Sequence, residues 1–588
     1  MTDLPAAFDR ALARHQAGEL QAAERLYREI LAAHPDHADA THLLGVIRFQ
    51  QGDLAEAEAA IRRAIAAAPK VPMYHGNLGR VLMAAGRAKE AAAAYRDGIA
   101  LAPDDAALHS DMAAALVTAG DYDAARARSR LAIDLAPDLA PAHLNLGLAL
   151  EAGGGMAARE AEACFRRAAE LDPGLADAHQ ALGQLAQAKG DEDAAIEHYR
   201  RAIQARPGMV EAHCNLGNIL RERQDYDAAL VQYEAALATA PGHATLLANK
   251  AVALHEMGRF EDALAAYGAA LARDPENAEC RRNRAMTLLL LGRLEDAWPD
   301  YEWRWKTARF APERRTWRKP RWTPDDGTQG TVLVHGEQGL GDCIQFARFL
   351  PRLRDAGQHV VLECPAPLVR LMQSVDGVVQ AVARGDPLPS HDFHIPLMSL
   401  PGAFGTTLAS IPADVPYIAP NKDEAAAWAA RLAGLPRPRI GLAWKGSPLH
   451  PRDRVRSPGL APLLPLLEMA GGSLVSLQKD GGAADLAALD SARRVIDVTP
   501  DLRDFAATAA LLPSLDVVVA CDTAVAHLAG ALGRPTLVML PLVPDWRWLL
   551  ERRDSPWYPT LRLFRQERPG DWNGVAARLK AHLTRHWM

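Results

Sequence analysis

The chain has few cysteines, and none of them falls into a metal-binding or redox spacing. Its six cysteines are scattered over 588 residues, and no CxxC pair occurs among them. A disulfide framework or a zinc site needs cysteines at close, regular spacing. We therefore expect reduced thiols in a cytoplasm-like compartment.

Long apolar runs and a strong net charge are also missing. The sequence contains no run of about 18 apolar residues, the length that a membrane-spanning helix requires. The N-terminal stretch MTDLPAAFDRALARHQ lacks the apolar core of a signal peptide. We therefore expect a cytoplasmic protein without a transmembrane segment. The formal net charge of -6 is too small to indicate a nucleic-acid partner by bulk electrostatics.

What the sequence does contain is a repeat that fills its first half. Prolines recur every 34 residues, with one longer step of 36 residues. The longer step fits the glycine-rich stretch EAGGGMAARE, which we interpret as a lengthened turn between helices. The prolines are Pro35, Pro69, Pro103, Pro137, Pro173, Pro207, Pro241 and Pro275.

Each period carries a small residue on its first predicted helix and often an aromatic residue on its second. Small residues let two helices approach closely, and the aromatic ring fills the gap beside them. Period and pattern resemble the tetratricopeptide repeat. The resemblance implies about nine copies over residues 1–310, stacked into an all-α superhelix with a concave groove for a protein or peptide partner. The small residues are Gly45, Gly79, Ala113, Gly147, Gly183, Gly217, Ala251 and Ala285.

An asparagine recurs two residues before the small position. A carboxamide offers a donor and an acceptor, so a column of them can bind a peptide backbone without reading its sequence. The alternative is that these amides bond between helices. The candidate acceptor-binding residues are Asn77, Asn145, Asn215, Asn249 and Asn283.

A column of histidines accompanies the asparagines. A metal site is one interpretation, but this position of the repeat normally holds a packing aromatic residue. We therefore favour core histidines and expect no metal. The column comprises His75, His109, His143, His179 and His213.

The composition changes between residues 302 and 330. Eight basic residues lie between Arg304 and Arg321, together with one acidic residue, and four tryptophans lie between Trp303 and Trp322. Arginine beside tryptophan suits either nucleic-acid stacking or a joint in which tryptophans are buried and arginines are paired. We favour the joint, and we assign residues 311–330 as a basic, Trp-rich connector.

Beyond the connector, strand-like and helix-like runs alternate, which predicts parallel sheets covered by helices. We expect an α/β region of two Rossmann-like domains, at residues 331–420 and 421–588. Ligands of such sheets bind at the carboxyl ends of the strands. The stretches HGEQGLGDCIQF and CDTAVAHLAG both follow predicted strands, so we expect them to meet across one cleft.

These two stretches carry a second resemblance. GEQGLGDCIQFARFLP together with DTAVAHLAGALGRPTLVML resembles glycosyltransferase family 9, the heptosyltransferase-like enzymes of the GT-B fold. Still more similar are bacterial proteins with tetratricopeptide repeats ahead of such a domain. The likeness covers roughly residues 330–570. Gly341 and Asp342 match the glycine–aspartate step of the family, and residues 522–527 match its Asp-Thr-Gly-x-x-His motif with Ala524 in place of the glycine.

The resemblance implies hexosyl- or heptosyl-type transfer, with inversion and without a metal or other cofactor, from a nucleotide-diphosphate sugar as co-substrate. Asp342 then acts as the base at a helix start, with Glu337 as a less favoured substitute. Thr523 and His527 lie one helical turn apart and bind the departing phosphates. Asp522 caps that helix or holds the ribose.

The remaining donor-binding residues and the function class stay open at this point. The family's phosphate-binding lysine has no clear counterpart, and the candidates are Lys445 and Arg456. The alternative function is a non-catalytic repeat adaptor with a degenerate GT-B domain, in which Asp342 and Asp522 are ordinary helix caps. Residues 542–559, LVPDWRWLLERRDSPWYP, either line the cleft or seal the C-terminal helices against the first sheet.

Overall fold

The chain forms two compact units, residues 1–241 and residues 242–588. Within the described part of the chain, no helix is both long enough and apolar enough to cross a membrane. The predicted lengthened turn at EAGGGMAARE lies partly outside the described residues, because residues 154–156 are not among them. The computed structural model describes residues 4–153, 157–324, 327–448, 453–467, 471–488 and 495–587.

The first unit is entirely α-helical over its described residues. The helices alternate between a first and a second member of each repeat, joined by tight turns. They are α1 (Leu4–Gln16), α2 (Leu20–Ala33), α3 (Ala38–Gln50), α4 (Leu54–Ala67), α5 (Pro72–Ala84), α6 (Ala88–Leu101), α7 (Ala106–Ala119), α8 (Tyr122–Leu135), α9 (Ala140–Glu151), α10 (Ala157–Leu171), α11 (Ala176–Ala188), α12 (Glu192–Ala205), α13 (Val210–Glu222) and α14 (Tyr226–Thr239).

The turn inside a repeat follows from two adjacent residue types. Gly120 ends α7 in the left-handed conformation, with φ 82°, which costs glycine little. Asp121 then caps α8, where its side chain accepts a hydrogen bond from the Ala124 backbone N–H. The same pairing recurs at Gly190 and Asp191. These two residue types therefore end the first helix of the repeat and begin the second.

The close approach of paired helices depends on the small residues of the repeat. A Cβ atom added at Gly79 would lie 2.5 Å from the Tyr95 ring, and one added at Gly183 would lie 2.6 Å from the Tyr199 ring. Tyr95 and Tyr199 are fully buried. The predicted packing of a small residue against an aromatic ring is thus confirmed in these pairs.

The histidine column has a structural role. In His75, Nε2 lies 3.1 Å from the carbonyl oxygen of Pro69, six residues earlier at the preceding turn. His109, His143 and His213 make the same contact with their own prolines, at 2.8–2.9 Å. These imidazoles therefore tie the start of a helix to the turn before it, which supports packing over a metal-binding role.

Over its described residues, the second unit contains four further repeat helices and two sheets with their covering helices. The helices are α15 (Ala244–Glu256), α16 (Phe260–Arg273), α17 (Ala278–Leu290), α18 (Leu294–Tyr301), α19 (Leu340–Phe346), α20 (Leu350–Asp355), α21 (Val369–Met372), α22 (Leu400–Ala403), α23 (Lys422–Leu432), α24 (Asp453–Arg456), α25 (Leu464–Leu467), α26 (Gly482–Ala487), α27 (Phe505–Leu511), α28 (Ala524–Ala531) and α29 (Trp572–Trp587). The strands are β1 (Thr331–His335), β2 (His359–Cys364), β3 (Val378–Ala383), β4 (Phe393–Pro396), β5 (Arg439–Ala443), β6 (Ser473–Ser476), β7 (Val495–Asp497), β8 (Val517–Cys521), β9 (Thr536–Leu540) and β10 (Leu561–Arg565).

Both sheets are parallel throughout, as the alternating pattern predicted. The first has the strand order β3-β2-β1-β4, and the second has the order β10-β9-β8-β5-β6-β7. Every residue of β5, β8 and β9 is buried, as expected for parallel strands covered on both faces. In the second sheet, successive strands extend from β5 toward one edge and from β8 toward the other, so the strand order reverses between β5 and β8. Ligands bind at such a reversal in nucleotide-binding folds.

A buried arginine fastens the segment after α18 to the first sheet. The Arg304 side chain has no exposed surface, and its Nη2 donates to Glu337 at 2.6 Å and to Ser399 at 2.7 Å. Its Nη1 donates to Glu302 at 2.7 Å. Nearby, Trp322 is buried. Removing one partner of such a buried pair leaves an uncompensated charge, which is strongly destabilising.

We predict that Gly183→Ala lowers the free energy of unfolding by about 1–3 kcal/mol, because the added methyl group would lie 2.6 Å from the Tyr199 ring. The measurement is urea denaturation of the full chain followed by far-ultraviolet circular dichroism. The matched control is Gly208→Ala, whose added Cβ meets Thr239 at 3.6 Å, an ordinary contact. Equal midpoints for the two variants would contradict the packing argument.

Candidate functional site

A cleft of about 770 Å³ lies at the carboxyl ends of strands from both sheets. The first sheet contributes the glycine turn after β1, at residues 338–342. The second sheet contributes residues 445–447 after β5, residues 477–480 after β6 and residues 522–525 after β8. The two stretches expected to meet from the sequence do therefore line one cavity, at the strand reversal of the second sheet.

Asp342 occupies the first turn of α19 and faces this cleft. Its Oδ2 accepts a hydrogen bond from the Gly339 backbone N–H at 2.8 Å, the reciprocal half of a capping box. Its Oδ1 accepts a hydrogen bond from Nη2 of Arg547. The side chain remains 20% exposed. The carboxylate therefore caps the helix with one oxygen and pairs with a cation through the other.

Gly341 brings the two halves of the cleft into contact. A Cβ atom added there would lie 2.9 Å from Cδ2 of His527 and 3.4 Å from Cα of Ala524. The start of α19 thus rests directly on the start of α28. A larger residue at position 341 would force the two helix starts apart, so this glycine serves close packing.

The start of α28 presents unpaired hydrogen-bonding groups. Thr523 is the N-cap residue, but its hydroxyl makes no capping hydrogen bond, and its buried Oγ1 has no partner among the described residues. The first N–H groups of an α-helix have no acceptor within the helix. An anion placed here would satisfy these donors. The expectation that Asp522 caps this helix is corrected, because the N-cap is the residue after it.

Asp522 is nevertheless part of the site. Burial, followed by the nearby Asp545 carboxylate, raises the pKa of Asp522 to about 6. Its Oδ1 lies 3.9 Å from Nε2 of His527. The pKa of this carboxyl group therefore lies well above the usual range of an aspartate, and the group lies beside the histidine.

His527 is a neutral, tightly held imidazole. Burial, followed by the Arg547 guanidinium, lowers the pKa of His527 to about 3. Its Nδ1 lies 3.0 Å from the Tyr558 hydroxyl oxygen, and its ring stacks on that of Trp548 at 5.1 Å between centroids. A neutral imidazole carries one N–H, so this residue can donate one hydrogen bond without adding charge to the cleft.

Part of the segment 542–559 lines the cleft, and its Trp546 packs against residues of α18 and α19. Arg547 lies in the cleft wall, where it pairs with Asp342 and, at 2.7 Å, with Asp545. Trp546 packs edge-on against Trp298 of α18, at 6.2 Å between centroids. The cleft-lining interpretation therefore applies to Asp545 and Arg547, and a seal between the C-terminal helices and the first sheet stays a prediction. The ion pair with Asp342 was not expected from the sequence.

The two candidates for the missing lysine differ in how far they are already engaged. The Lys445 ammonium donates to Asp485 at 2.7 Å, so it is neutralised in the wall of the cleft. Arg456 lies over Gly446, where an added Cβ would be 2.5 Å from its Nη2. The buried Nε of Arg456 makes no hydrogen bond in the described part of the chain, although it lies 3.5 Å from Oδ1 of Asp453, a looser pairing than that of Lys445. Arg456 is the better anion-binding candidate of the two.

The expectation that Glu337 could substitute as the base is corrected by the surroundings of this side chain. The Glu337 side chain is 1% exposed and pairs with Arg304, and it is not among the residues that line the cleft. Burial raises the pKa of Glu337 to about 7, although Arg304 opposes the rise. This carboxyl group anchors the connector and cannot reach an acceptor in the cleft.

Sequence reasoning missed several polar residues of the cleft. Lys479 and Asp480 follow β6, so the strand-end rule was the signal that points to them. The Lys479 ammonium donates to the Leu502 carbonyl at 2.6 Å. Arg309 and Glu313 reach the cleft from the 3-10 helix Ala308–Glu313, where the connector begins. No local pattern marks these two, because their position depends on how the connector folds back.

The asparagine column is engaged within the repeats where its contacts are resolved. Asn77 Nδ2 lies 2.8 Å from Nε2 of His42. The buried Asn145 donates to the Ser110 carbonyl at 2.9 Å. Both contacts join neighbouring repeats, which supports the packing alternative at these two positions. In Asn283, Oδ1 accepts a hydrogen bond from Nη2 of Arg282 at 3.0 Å. The members of the column other than Asn77 and Asn145 are half-buried: Asn215, Asn249 and Asn283.

Comparison with known proteins identifies the repeats. The model of the tetratricopeptide repeat matches residues 8–72, 55–106, 77–140, 176–208, 220–267 and 249–309. Protein FlbA of Caulobacter vibrioides is 28% identical over 313 residues, which cover 49% of this chain. The match spans about half, 52%, of the length of that relative.

Solved structures give matches of the same kind. A tetratricopeptide repeat protein from Parabacteroides merdae is 14% identical, with a TM-score of 0.38, and covers 43% of this chain and 100% of its own. The MamA protein is 21% identical, with a TM-score of 0.27, and covers 29% of this chain and 92% of its own. The matches to the repeat models show that the N-terminal region of about 310 residues is built of tetratricopeptide repeats.

Proposed function

We propose that the region after the connector is an inverting, metal-independent glycosyltransferase. It would move a hexosyl or heptosyl group from a nucleotide-diphosphate sugar to an acceptor hydroxyl. The observation that carries the proposal is that Asp342 from the first sheet and Thr523 and His527 from the second line one cleft. The two parallel sheets would be the Rossmann-like halves of a GT-B fold, with the acceptor bound on the first and the donor on the second.

Asp342 is the base in this proposal. It accepts the proton of the acceptor hydroxyl while the hydroxyl oxygen forms a bond to the anomeric carbon. The bond from that carbon to the phosphate oxygen breaks, and its electron pair leaves with the nucleoside diphosphate. Asp342 lies in the first turn of α19 and faces the cleft.

The departing diphosphate needs donors and positive potential. The N-terminus of α28, the unpaired Thr523 hydroxyl and the Arg456 guanidinium supply both. In the tautomer in which Nδ1 of His527 accepts from the Tyr558 hydroxyl, Nε2–H of the neutral ring is a further donor toward the cleft. Lys445 would join them on release from Asp485. These groups can take up developing charge without a bound metal.

The repeats would present the acceptor. Tetratricopeptide repeats support a protein-binding role for the N-terminal region, so a protein or peptide acceptor is the natural class for this chain. The half-buried amides of Asn215, Asn249 and Asn283 remain the candidates for contacts to its backbone.

A non-catalytic adaptor is the competing function, and specific observations favour it. Ala524 replaces the glycine of the family motif, which limits how closely the backbone approaches a phosphate. The Lys445 ammonium is paired with Asp485. In an adaptor the repeats would bind partners while the cleft stays without a donor.

We predict that a nucleotide-diphosphate sugar raises the thermal unfolding midpoint of the full chain. A donor at about 100 times its dissociation constant adds about 2.7 kcal/mol to the free energy of unfolding. Differential scanning fluorimetry against a panel of nucleotide sugars measures this shift. Arg456→Gln should reduce the shift, whereas Arg454→Gln, an exposed neighbour on the same helix, should not. No shift with any donor would favour the adaptor.

We also predict that Asp342→Asn lowers the transfer rate by about 100- to 10,000-fold, the usual contribution of a general base, while the donor-induced thermal shift persists. Transfer is measured with the donor identified by the thermal screen. Asp355→Asn is the matched control, because Asp355 ends α20 outside the cleft. A fully active Asp342→Asn protein would rule out this residue as the base.

A further inference from the structure

Arg547 is the best-enclosed cation in the wall of the cleft. It lies in a short 3-10 turn, Trp546–Trp548, and its side chain is 8% exposed. The turn is capped by Asp545, whose Oδ1 accepts hydrogen bonds from the Arg547 backbone N–H at 3.1 Å and from Nη1 at 2.7 Å. The guanidinium is therefore fixed by its own loop before any substrate arrives.

The same guanidinium reaches across to the first sheet. Its Nη2 donates to Oδ1 of Asp342, and its Cζ lies 5.6 Å from the ring centroid of Phe346, on the same helix as Asp342. Its other aromatic neighbour is Trp546, at 4.7 Å. A charge removed from water persists when it is paired and hydrogen-bonded in this way. Arg547 thus joins the helix of the proposed base to the second half of the cleft.

The Asp342 carboxylate is held at both oxygens. Oδ1 takes the guanidinium, and Oδ2 takes the Gly339 backbone N–H at 2.8 Å. Each carboxylate oxygen has a further lone pair, and the side chain is 20% exposed toward the cleft. The two bonds fix the orientation of the carboxylate and leave capacity to accept one proton.

Phosphate binding is the competing role for Arg547. Both of its terminal nitrogens already bind carboxylates, Asp342 and Asp545. Thr523 Oγ1 has no partner among the described residues, and Arg456 is paired through its Nε with Asp453 at the longer distance of 3.5 Å. Both residues lie in the same cleft. These partners therefore favour phosphate binding by the start of α28 and by Arg456, and carboxylate binding by Arg547.

We infer that Arg547 is a positioning residue for Asp342. The planar guanidinium of Arg547 holds the Asp342 carboxylate so that the free lone pair faces the acceptor hydroxyl. Asp545 in turn holds the guanidinium in place. This inference rests on the proposed glycosyl transfer. Arg547 itself exchanges no proton: the acceptor proton goes to Asp342, and the leaving electron pair goes to the diphosphate.

Steady-state kinetics of Arg547→Gln and Arg547→Lys test this role. We expect Arg547→Gln to lower kcat by about 100-fold, the cost of misplacing a catalytic group by about 1 Å, with KM for the nucleotide sugar nearly unchanged. Arg547→Lys keeps the charge but not the planar guanidinium, so it should recover only part of kcat. Arg552→Gln is the matched control, since Arg552 pairs with Asp554 in the same segment but outside the cleft.

The outcomes separate this inference from the proposed function. A wild-type protein that neither binds nor transfers any nucleotide sugar overturns both. An active wild type with unchanged kcat in Arg547→Gln overturns the positioning role alone. A rise in KM for the nucleotide sugar at constant kcat would assign Arg547 to the phosphates instead. Should Arg547→Gln fail to fold, Asp545→Asn keeps the test, because it loosens the guanidinium without removing it and should lower kcat by a smaller factor.

Discussion

The contact between the starts of α19 and α28 is the constraint on which the cleft depends. It exists because Gly341 has no side chain, so His527 can approach to within 2.9 Å of the position a Cβ would take. The carboxylate of Asp342 and the unpaired groups of Thr523 then lie in one cavity. If the starts of α19 and α28 were apart, the turns after β1 and β8 could not bind one ligand together. Tight packing at one glycine therefore creates the candidate site.

Charge pairing adjusts the chemistry of that cavity. Arg547 is enclosed together with Asp342 and Asp545, and it helps to keep the pKa of His527 near 3. Asp522, shielded from water and close to Asp545, has its pKa raised to about 6. The cleft thus holds an ion-paired carboxylate, a neutral imidazole and a carboxyl group with a raised pKa. Differences of this kind between neighbouring groups are typical of functional sites.

In the repeats, by contrast, the local preference of each residue favours the observed fold. Glycine at the turn, aspartate at the helix cap and a small residue beneath an aromatic ring all favour the same helix pair. Such consistency makes a pattern predictable from one sequence. The asparagine column shows the limit of the same method. At Asn77 and Asn145 the amides bond to neighbouring repeats, a distinction that periodicity cannot make.

By itself the sequence determined the repeat array, the parallel sheets and the strand-end positions of Asp342 and Thr523, because these follow from local periodicity and from where strands stop. Tertiary structure alone decided that Arg547, 205 residues after Asp342, would pair with it. It also decided that Arg304 would pair with the buried Glu337, which excludes Glu337 as the alternative base. Ion pairs between residues that are far apart in the sequence depend on how the chain folds back. A pattern among neighbouring residues does not encode such pairs.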